Sequence, residues 1–213
     1  MFPWTAEKES SRHPMLIVPA TAYEPDWRNV DSLPLDGVDE VVDLFAYQWP
    51  WEDNSVDELW ASHIIEHIPH VPRQTEYKDE FGYWLEPPRC EQKRWEALQN
   101  LDGFYAFFAE VWRVLKSDGV IGVVAPYGKS DGALFDPQHT RFITEKTFHY
   151  LGNGGGNSPT YDYRLPLNFE AVANPTFAIN PPWSQMPVEQ WAAALGTYWN
   201  VCNTIRVDLR AVK

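Results

Sequence analysis

The chain has 213 residues and a formal net charge of −13, and it is rich in tryptophan and proline. This strong negative charge disfavours binding to nucleic acid or to anionic membranes, because both carry negative charge themselves. No run of eighteen apolar residues is present, no signal-peptide pattern is visible, and two cysteines do not make a disulfide framework. We therefore expect a cytoplasmic protein without a membrane segment, and the sequence does not indicate its oligomeric state.

Strands and helices alternate along the predicted chain. The predicted strands are short apolar or β-branched runs at 15–18, 29–31, 38–44, 56–61, 120–125, 169–179 and 205–211. An amphipathic helix is predicted from about Trp95 to Lys116, with Gly119 as its stop, and shorter helices begin near Thr144 and Pro187. This order predicts an α/β fold, three-layered and Rossmann-like. Its central sheet is mostly parallel and carries an antiparallel C-terminal strand.

The sequence also predicts how the chain is divided into an arm and a domain. Residues 1–14 are polar and predict an N-terminal arm, and residues 15–213 predict one domain. Within that domain, residues 69–94 contain four prolines and show no helical or strand period. Loops of this length are uncommon unless they serve a function, so we expect an inserted loop or lid.

The segment from His63 to His67 reads HIIEH, which matches the H-x-x-E-H signature of inverted zinc peptidases. That chemistry requires both histidines on one face of a sustained helix and a further ligand downstream. A strand-like run precedes the segment, and Pro69 and Pro72 follow it closely, so a sustained helix is not expected. We therefore predict no metal site at this segment.

Two aspartates stand where predicted strands end. A carboxylate at Asp31, after the second strand, suits both hydroxyls of a ribose, as in dinucleotide-binding folds. Asp43, after the third strand, suits the amino group of an adenine, with Leu44 packing on the ring. The alternative for each aspartate is that it caps a strand or begins a turn, which is common for this residue. The appearance of Ser62 and His63 at the end of the next strand favours a ligand site.

Five segments taken in order resemble the class I S-adenosylmethionine-dependent methyltransferases. They are WRNVD at 27–31, VVDL at 41–44, PWEDNSVDELWASHIIEHI at 50–68, FFAEVWRVLKSDG at 107–119 and DPQHTRFIT at 136–144. The resemblance covers roughly residues 15–151. It implies that S-adenosylmethionine is the cofactor, that S-adenosylhomocysteine is the product, and that the methyl acceptor is a small molecule or a glycan.

The resemblance also implies roles for individual residues. Asp31 would hold the ribose, Asp43 and Leu44 the adenine, and Ser62 and His63 the methionine end of the cofactor. These assignments extend the strand-end argument to a specific ligand.

The catalytic candidates lie on two segments. His63 is the nearest candidate base, and His139 and Arg141 would bind or orient the acceptor from the loop beyond the last parallel strand. A hydrogen-bonded structural histidine is the alternative for His139.

The loop after the first strand departs from the methyltransferase pattern. Where that family has a Gly-x-Gly loop against the cofactor, this chain has Pro19, Ala20 and Thr21, with Ala20 at the cofactor-binding position. Proline lacks an N–H donor, and each added Cβ opposes close backbone approach. A catalytically inactive methyltransferase-like scaffold or subunit is therefore the alternative function.

Overall fold

The computed structural model describes residues 14–17, 27–74, 101–152 and 167–213. Ten strands lie in these ranges, in chain order: β1 Pro14–Ile17, β2 Arg28–Asp31, β3 Glu40–Val41, β4 Ala46–Tyr47, β5 Val56–Ser62, β6 Arg73–Gln74, β7 Leu115–Pro126, β8 Phe169–Ala171, β9 Thr176–Ile179 and β10 Cys202–Ala211. Two α-helices lie there as well, α1 Gly103–Val114 and α2 Val188–Thr197. Short 3-10 helices occur at Ile65–His67, Asp131–Ala133, Glu145–Leu151 and Trp183–Gln185.

The main sheet has the strand order β3-β2-β1-β5-β7-β10-β8, and β9 also pairs with β10. Strands β1, β2, β3, β5 and β7 pair in parallel, whereas β10 is antiparallel to β7, β8 and β9. The predicted α/β class, with a mostly parallel sheet and an antiparallel C-terminal strand, is therefore confirmed. Strands β4 and β6 form a separate parallel pair.

The order of the parallel strands reverses beside β1. The chain runs outward from β1 through β2 to β3 and then returns to place β5 on the other side of β1. In open α/β sheets, such a reversal opens a crevice outside the carboxyl ends of the two flanking strands, and ligands bind there. The topology thus places the candidate ligand crevice at the carboxyl ends of β1 and β5.

Helix α1 covers the sheet with an aromatic face. Asp102 caps it, because the side chain accepts a hydrogen bond from Phe104 N at 2.9 Å. Phe107 and Phe108 are fully buried and lie edge-to-face, with ring centroids 5.4 Å apart. Burial of each such ring contributes roughly 1.5–3 kcal/mol, so this face anchors the helix.

The start of α1 touches the segment that follows β5. A Cβ on Gly103 would stand 1.9 Å from the carbonyl oxygen of Pro69, so only glycine permits this approach. Gly103 N also donates to His70 O at 2.8 Å. The segment after β5 is thereby fixed against the start of the helix.

The boundary between α1 and β7 corrects the sequence prediction. Helix α1 ends at Val114 and β7 begins at Leu115, so Lys116 is not in a last helical turn and Gly119 is not a helix stop. Pairing with β5 extends the strand back to Leu115, and the register shifts between Val56 and Glu58 to absorb extra residues of β7. Sheet pairing has overridden the local helix-stop pattern.

Other predicted elements are confirmed, with shifted bounds. The terminal strand and the break near residue 175 between β8 and β9 occur as predicted, while the third strand shortens to two residues. Thr144 caps its 3-10 helix through a capping box with Thr147. The arm at 1–13, the insert from 75 to 94 and positions 95–100 of the predicted helix lie outside the described residues. The prediction of one helix from Trp95 to Lys116 is wrong at 101–102, because Asp102 caps α1 and the helix begins at Gly103. Within the described part of the chain, no helix has both the length and the apolar composition needed to span a membrane.

Candidate functional site

The carboxyl edge of the sheet brings together the polar residues that the sequence placed at strand ends. Asp31 ends β2 and pairs in register with Val41 of β3, two residues before Asp43. Ser62 ends β5 and pairs with Val124 of β7. Since these strands run in parallel, their last residues meet at one edge, on both sides of the crevice at β1.

Asp31 and Asp43 both shape local turns. Asp31 Oδ1 accepts a hydrogen bond from Leu33 N at 3.0 Å, and Asp43 Oδ1 accepts one from Phe45 N at 3.0 Å. The turn-forming role that was the alternative for each aspartate is therefore present. The same contacts hold each carboxylate at the edge, so they are compatible with a ligand role.

Asp43 also carries an ion pair. Arg73 Nη2 of β6 donates to Asp43 Oδ1 at 2.9 Å, and the Asp43 side chain remains 43% exposed. Leu44 is buried in the core and only 5% exposed. It therefore offers little surface on which an adenine ring could pack. An adenine at this edge would have to share Asp43 with Arg73.

His63 lies where the chain leaves β5. Its N–H donates to Val124 O at 2.8 Å, and its φ of 53° lies in the left-handed region that non-glycine residues seldom adopt. Its Nδ1 is 3.2 Å from Oε1 of Glu66, and the imidazole is 41% exposed. The ring is thus reachable from solvent on one side and faces a buried carboxylate on the other.

The segment after His63 is a single 3-10 turn, Ile65–His67, which we call the Glu66 turn. Pro69 and Pro72 prevent its continuation as a helix, as the sequence predicted. The helical arrangement that the inverted zinc-peptidase signature requires is therefore not formed here.

His139 and Arg141 lie in the loop beyond β7, where the sequence placed them, and this loop packs on the Glu66 turn. The Arg141 side chain is only 12% exposed, donates from Nε to Ile68 O at 3.0 Å and pairs with Asp102 at 2.8 Å. Its guanidinium also lies over the Phe104 ring, 5.6 Å from the centroid. These contacts hold the loop in place and leave the guanidinium little capacity for an acceptor.

His139 is more deeply placed than the sequence suggested. Its side chain is 8% exposed, Nδ1 is 3.2 Å from the carbonyl of Ala133, and its ring lies edge-to-face on the ring of His67, with centroids 4.7 Å apart. The approach of His67 and Glu66 to His139 was not predicted. The only sequence signal was the co-occurrence of the HIIEH and DPQHTR segments, which says nothing about contact.

Two tyrosines with raised pKa values lie near the candidate site, Tyr127 after β7 and Tyr47 beside the start of α1. Burial, with Glu145 adding to it, raises the pKa of Tyr127 to about 12, and the hydroxyl lies 3.2 Å from Glu145 Oε2. Burial also raises the pKa of Tyr47, whose hydroxyl donates to Gly103 O. Both hydroxyls therefore stay protonated at neutral pH and act as hydrogen-bond donors.

The predicted cofactor loop is not part of this geometry. Pro19, Ala20 and Thr21 lie outside the described residues, as does most of the insert at 69–94. The assignments of the remaining site residues stay predictions.

No protein-family model and no curated protein matches the chain. Among solved structures, it is similar to a SAM-dependent methyltransferase from Archaeoglobus fulgidus, with 12% identity and a TM-score of 0.49 over 94% of this chain and 86% of that one. It is also similar to the cyclase SpnF, with 13% identity and a TM-score of 0.48 over 94% and 75%. The YcgJ protein of Bacillus subtilis gives 13% identity and a TM-score of 0.46 over 95% and 92%. Values this low leave function to be argued from the site itself.

Proposed function

We propose that the protein is an S-adenosylmethionine-dependent methyltransferase that acts on a small molecule or a glycan. The observation that carries the proposal is the meeting of Asp31, Asp43 and the Ser62–His63 pair at one carboxyl edge, beside the point where the strand order reverses. The net charge of −13 disfavours polyanionic acceptors and so supports a small molecule or glycan.

The polar groups at this edge of the sheet fit the polar parts of the cofactor. Carboxylates at successive strand ends suit a ribose diol and an adenine amino group, both of which donate hydrogen bonds. Asp31 would accept from the ribose, Asp43 from the adenine beside Leu44, and Ser62 and His63 would hold the methionine end. When bound, S-adenosylmethionine supplies an electrophilic methyl group.

The residues of the chain would then position the acceptor and take its proton. His63 combines an exposed ring with a carboxylate 3.2 Å from Nδ1. This carboxylate would stabilise the imidazolium that forms when His63 removes a proton from the acceptor. His139 and Arg141 would act by fixing the loop that closes the edge.

The alternative of a catalytically inactive scaffold rests on two features of the chain. The sequence Pro19-Ala20-Thr21 removes the close approach that glycines allow, and Arg73 already occupies one oxygen of Asp43. Either feature weakens cofactor binding, so binding itself is the property to measure.

Calorimetric titration with S-adenosylmethionine and S-adenosylhomocysteine tests the proposal. We expect measurable binding to the wild type and a loss of about 1–3 kcal/mol, or roughly 5- to 150-fold in affinity, for Asp31→Ala and for Asp43→Ala. Asp36→Ala is the matched control, because Asp36 is an exposed aspartate of the same region that we place outside the site.

Two outcomes would contradict parts of the proposal. If the wild type binds neither compound at millimolar concentration, the scaffold function replaces the enzyme. If it binds and all three variants bind equally well, the ligand contacts at Asp31 and Asp43 are wrongly assigned.

A further inference from the structure

Glu66 is a buried carboxylate without a hydrogen-bond partner. Its side chain is 1% exposed, and neither Oε1 nor Oε2 accepts a hydrogen bond from any residue that the structure describes. His63 Nδ1 approaches Oε1 to 3.2 Å, which is ion-pair distance, but the geometry is not that of a hydrogen bond. A buried carboxylate that accepts no hydrogen bond is costly, so we expect Glu66 to bind a cation in addition to facing His63.

Two imidazoles stand beside Glu66. One ligand atom each from Glu66, His67 and His139 lies within 4.8 Å of the others. His67 is half-buried and the His139 side chain is only 8% exposed, so the cluster is largely shielded from bulk solvent. This is a mixed set of nitrogen and oxygen ligands rather than a cluster of exposed acids.

The hydrogen bond of His139 prepares one of its nitrogens as a ligand. The carbonyl of Ala133 can only accept, so the Nδ1 atom 3.2 Å away carries the proton. In the neutral ring the lone pair is then on Nε2, which lies 3.9 Å from Asp136 Oδ2, beyond hydrogen-bond distance. Histidines that bind metal typically donate their other N–H to a backbone carbonyl in this way, which fixes the tautomer.

Direct hydrogen bonds hold the two chain segments of the cluster together. Thr140 N donates to Glu66 O at 2.8 Å, and Thr140 Oγ1 donates to Ile68 O at 2.7 Å. Arg141 adds its bond to the carbonyl of Ile68. The loop carrying His139 is thus fixed to the Glu66 turn by one backbone and two side-chain hydrogen bonds, and the cluster does not depend on a bound ion to assemble.

We propose that Glu66, His67 and His139 form a binding site for a divalent transition metal, with Zn²⁺ as the best match. Two imidazoles and one carboxylate are a donor set that zinc binds, with a fourth position left for water or another oxygen. In a tetrahedral zinc site with zinc–ligand distances of about 2.0–2.1 Å, the ligand atoms are about 3.3 Å apart. The three ligand atoms here lie within 4.8 Å of one another, so side-chain rotations that move each atom by about 1 Å would complete the site.

The proposed site differs from the one that the HIIEH pattern suggested, and the proposal departs from the sequence-based expectation of no metal. The peptidase signature uses His63 and His67 on one helix, whereas the cluster uses the neighbouring Glu66 and a histidine from a distant loop. His63 Nδ1 is 3.2 Å from Glu66 Oε1, but His63 is not among the three grouped ligands.

Metal binding can be measured without cofactor or acceptor. We would remove metal with a chelator, titrate the full chain with Zn²⁺ against a chromophoric competitor, and record the visible absorption of the Co²⁺ form. We expect one equivalent of Zn²⁺ and absorption bands of four- or five-coordinate Co²⁺. We expect His67→Ala and His139→Ala each to weaken Zn²⁺ binding at least tenfold.

Two variants serve as controls. His70→Ala removes an exposed histidine close to the cluster in sequence, which pairs with Asp102, and should bind Zn²⁺ like the wild type. His63→Ala should also retain one equivalent. Circular dichroism of each variant, after the chelator has removed its metal, shows whether the variant is folded.

The proposal is overturned if the wild type binds no stoichiometric Zn²⁺ at micromolar concentration, because Glu66 is then neutralised by a protonated histidine or by its own proton. It is also overturned if His139→Ala retains the metal while His63→Ala loses it. A failure of S-adenosylmethionine binding would leave the result intact, since no step here uses the cofactor.

Discussion

Glu66 and Glu110 are both carboxylates whose residues are only 1% exposed, yet their surroundings differ completely. Glu110 accepts hydrogen bonds from Arg113 Nε at 3.0 Å, from Arg113 Nη2 at 2.8 Å and from Trp49 N at 2.9 Å. Glu66 accepts none from the residues that the structure describes. Burial alone therefore does not distinguish the structural carboxylate of Glu110 from the proposed metal ligand Glu66. The number of hydrogen bonds that each carboxylate accepts does distinguish them.

The Glu110 cluster ties helix α1 to the loop that leads into β5. Arg113 donates to the carbonyls of Trp49 and Trp51 and also pairs with Asp53. Burial disfavours the charged guanidinium and is the largest single effect on its pKa, but Glu110 and Asp53 outweigh it and the pKa is raised. All of this hydrogen bonding is internal, so the cluster stabilises the fold and offers nothing to a ligand.

The largest effect is expected at the satisfied cluster. Arg113→Met should lower the free energy of unfolding by about 3–5 kcal/mol, because it leaves Glu110 charged and buried without its main partner. Urea unfolding would measure this loss. Arg210→Met is the control, since its pair with Glu170 is half-exposed and is worth at most about 1 kcal/mol. If both variants lose the same free energy of unfolding, the buried Glu110 cluster is no more stabilising than an exposed ion pair.

An effect of opposite sign is expected at the unsatisfied carboxylate. In metal-free protein, Glu66→Gln should raise the free energy of unfolding by about 1–2 kcal/mol, because it removes a buried charge that accepts no hydrogen bond from the described residues. Glu110→Gln should lower it by about 2–3 kcal/mol, because it weakens charge-assisted hydrogen bonds. Urea unfolding with and without Zn²⁺ compares them. Destabilisation of both variants to the same extent would mean that Glu66 has a structural partner.

The smallest effect is expected at the contact that holds the His139 loop. Thr140→Val keeps the shape of the side chain but removes the hydroxyl bond to Ile68 O, which should cost about 1 kcal/mol. Thr197→Val is the matched control, because its hydroxyl makes only a long local bond of 3.4 Å within α2. Thermal unfolding of both variants decides whether the Glu66 turn depends on this loop contact. A shift no larger than that of the control would show that it does not.

Several features of the fold could be predicted because they are local. The prolines after His67 limit the Glu66 turn to one 3-10 turn, and the alternation of Ile205, Val207 and Leu209 specifies a half-buried strand. The positions of Asp31 and Ser62 at strand ends also follow from local periodicity. Since parallel strands share one carboxyl edge, that local information was enough to bring these residues to the same side of the sheet.

The junction between α1 and β7 shows where local information failed. Lys116, Asp118 and Gly119 form a good helix-stop pattern, but pairing with β5 draws this segment into the strand. Asp118 instead takes a φ of 63° within the bulged region of β7. A hydrogen-bonded partner strand was stronger than the local preference, and the sequence does not state which partner is available.

By itself, the sequence determined the α/β class, the strand ends with their carboxylates, and the break after His67. Only the tertiary structure decided that His139 contacts His67 and Glu66, and that Glu66 is left without a hydrogen-bond partner among the described residues while Glu110 is saturated. Thr140 and Glu66 are 74 positions apart, and no periodicity links residues at that separation. Their contact arises because β5 and β7 are adjacent in register, so the loops that leave their carboxyl ends must pack against each other.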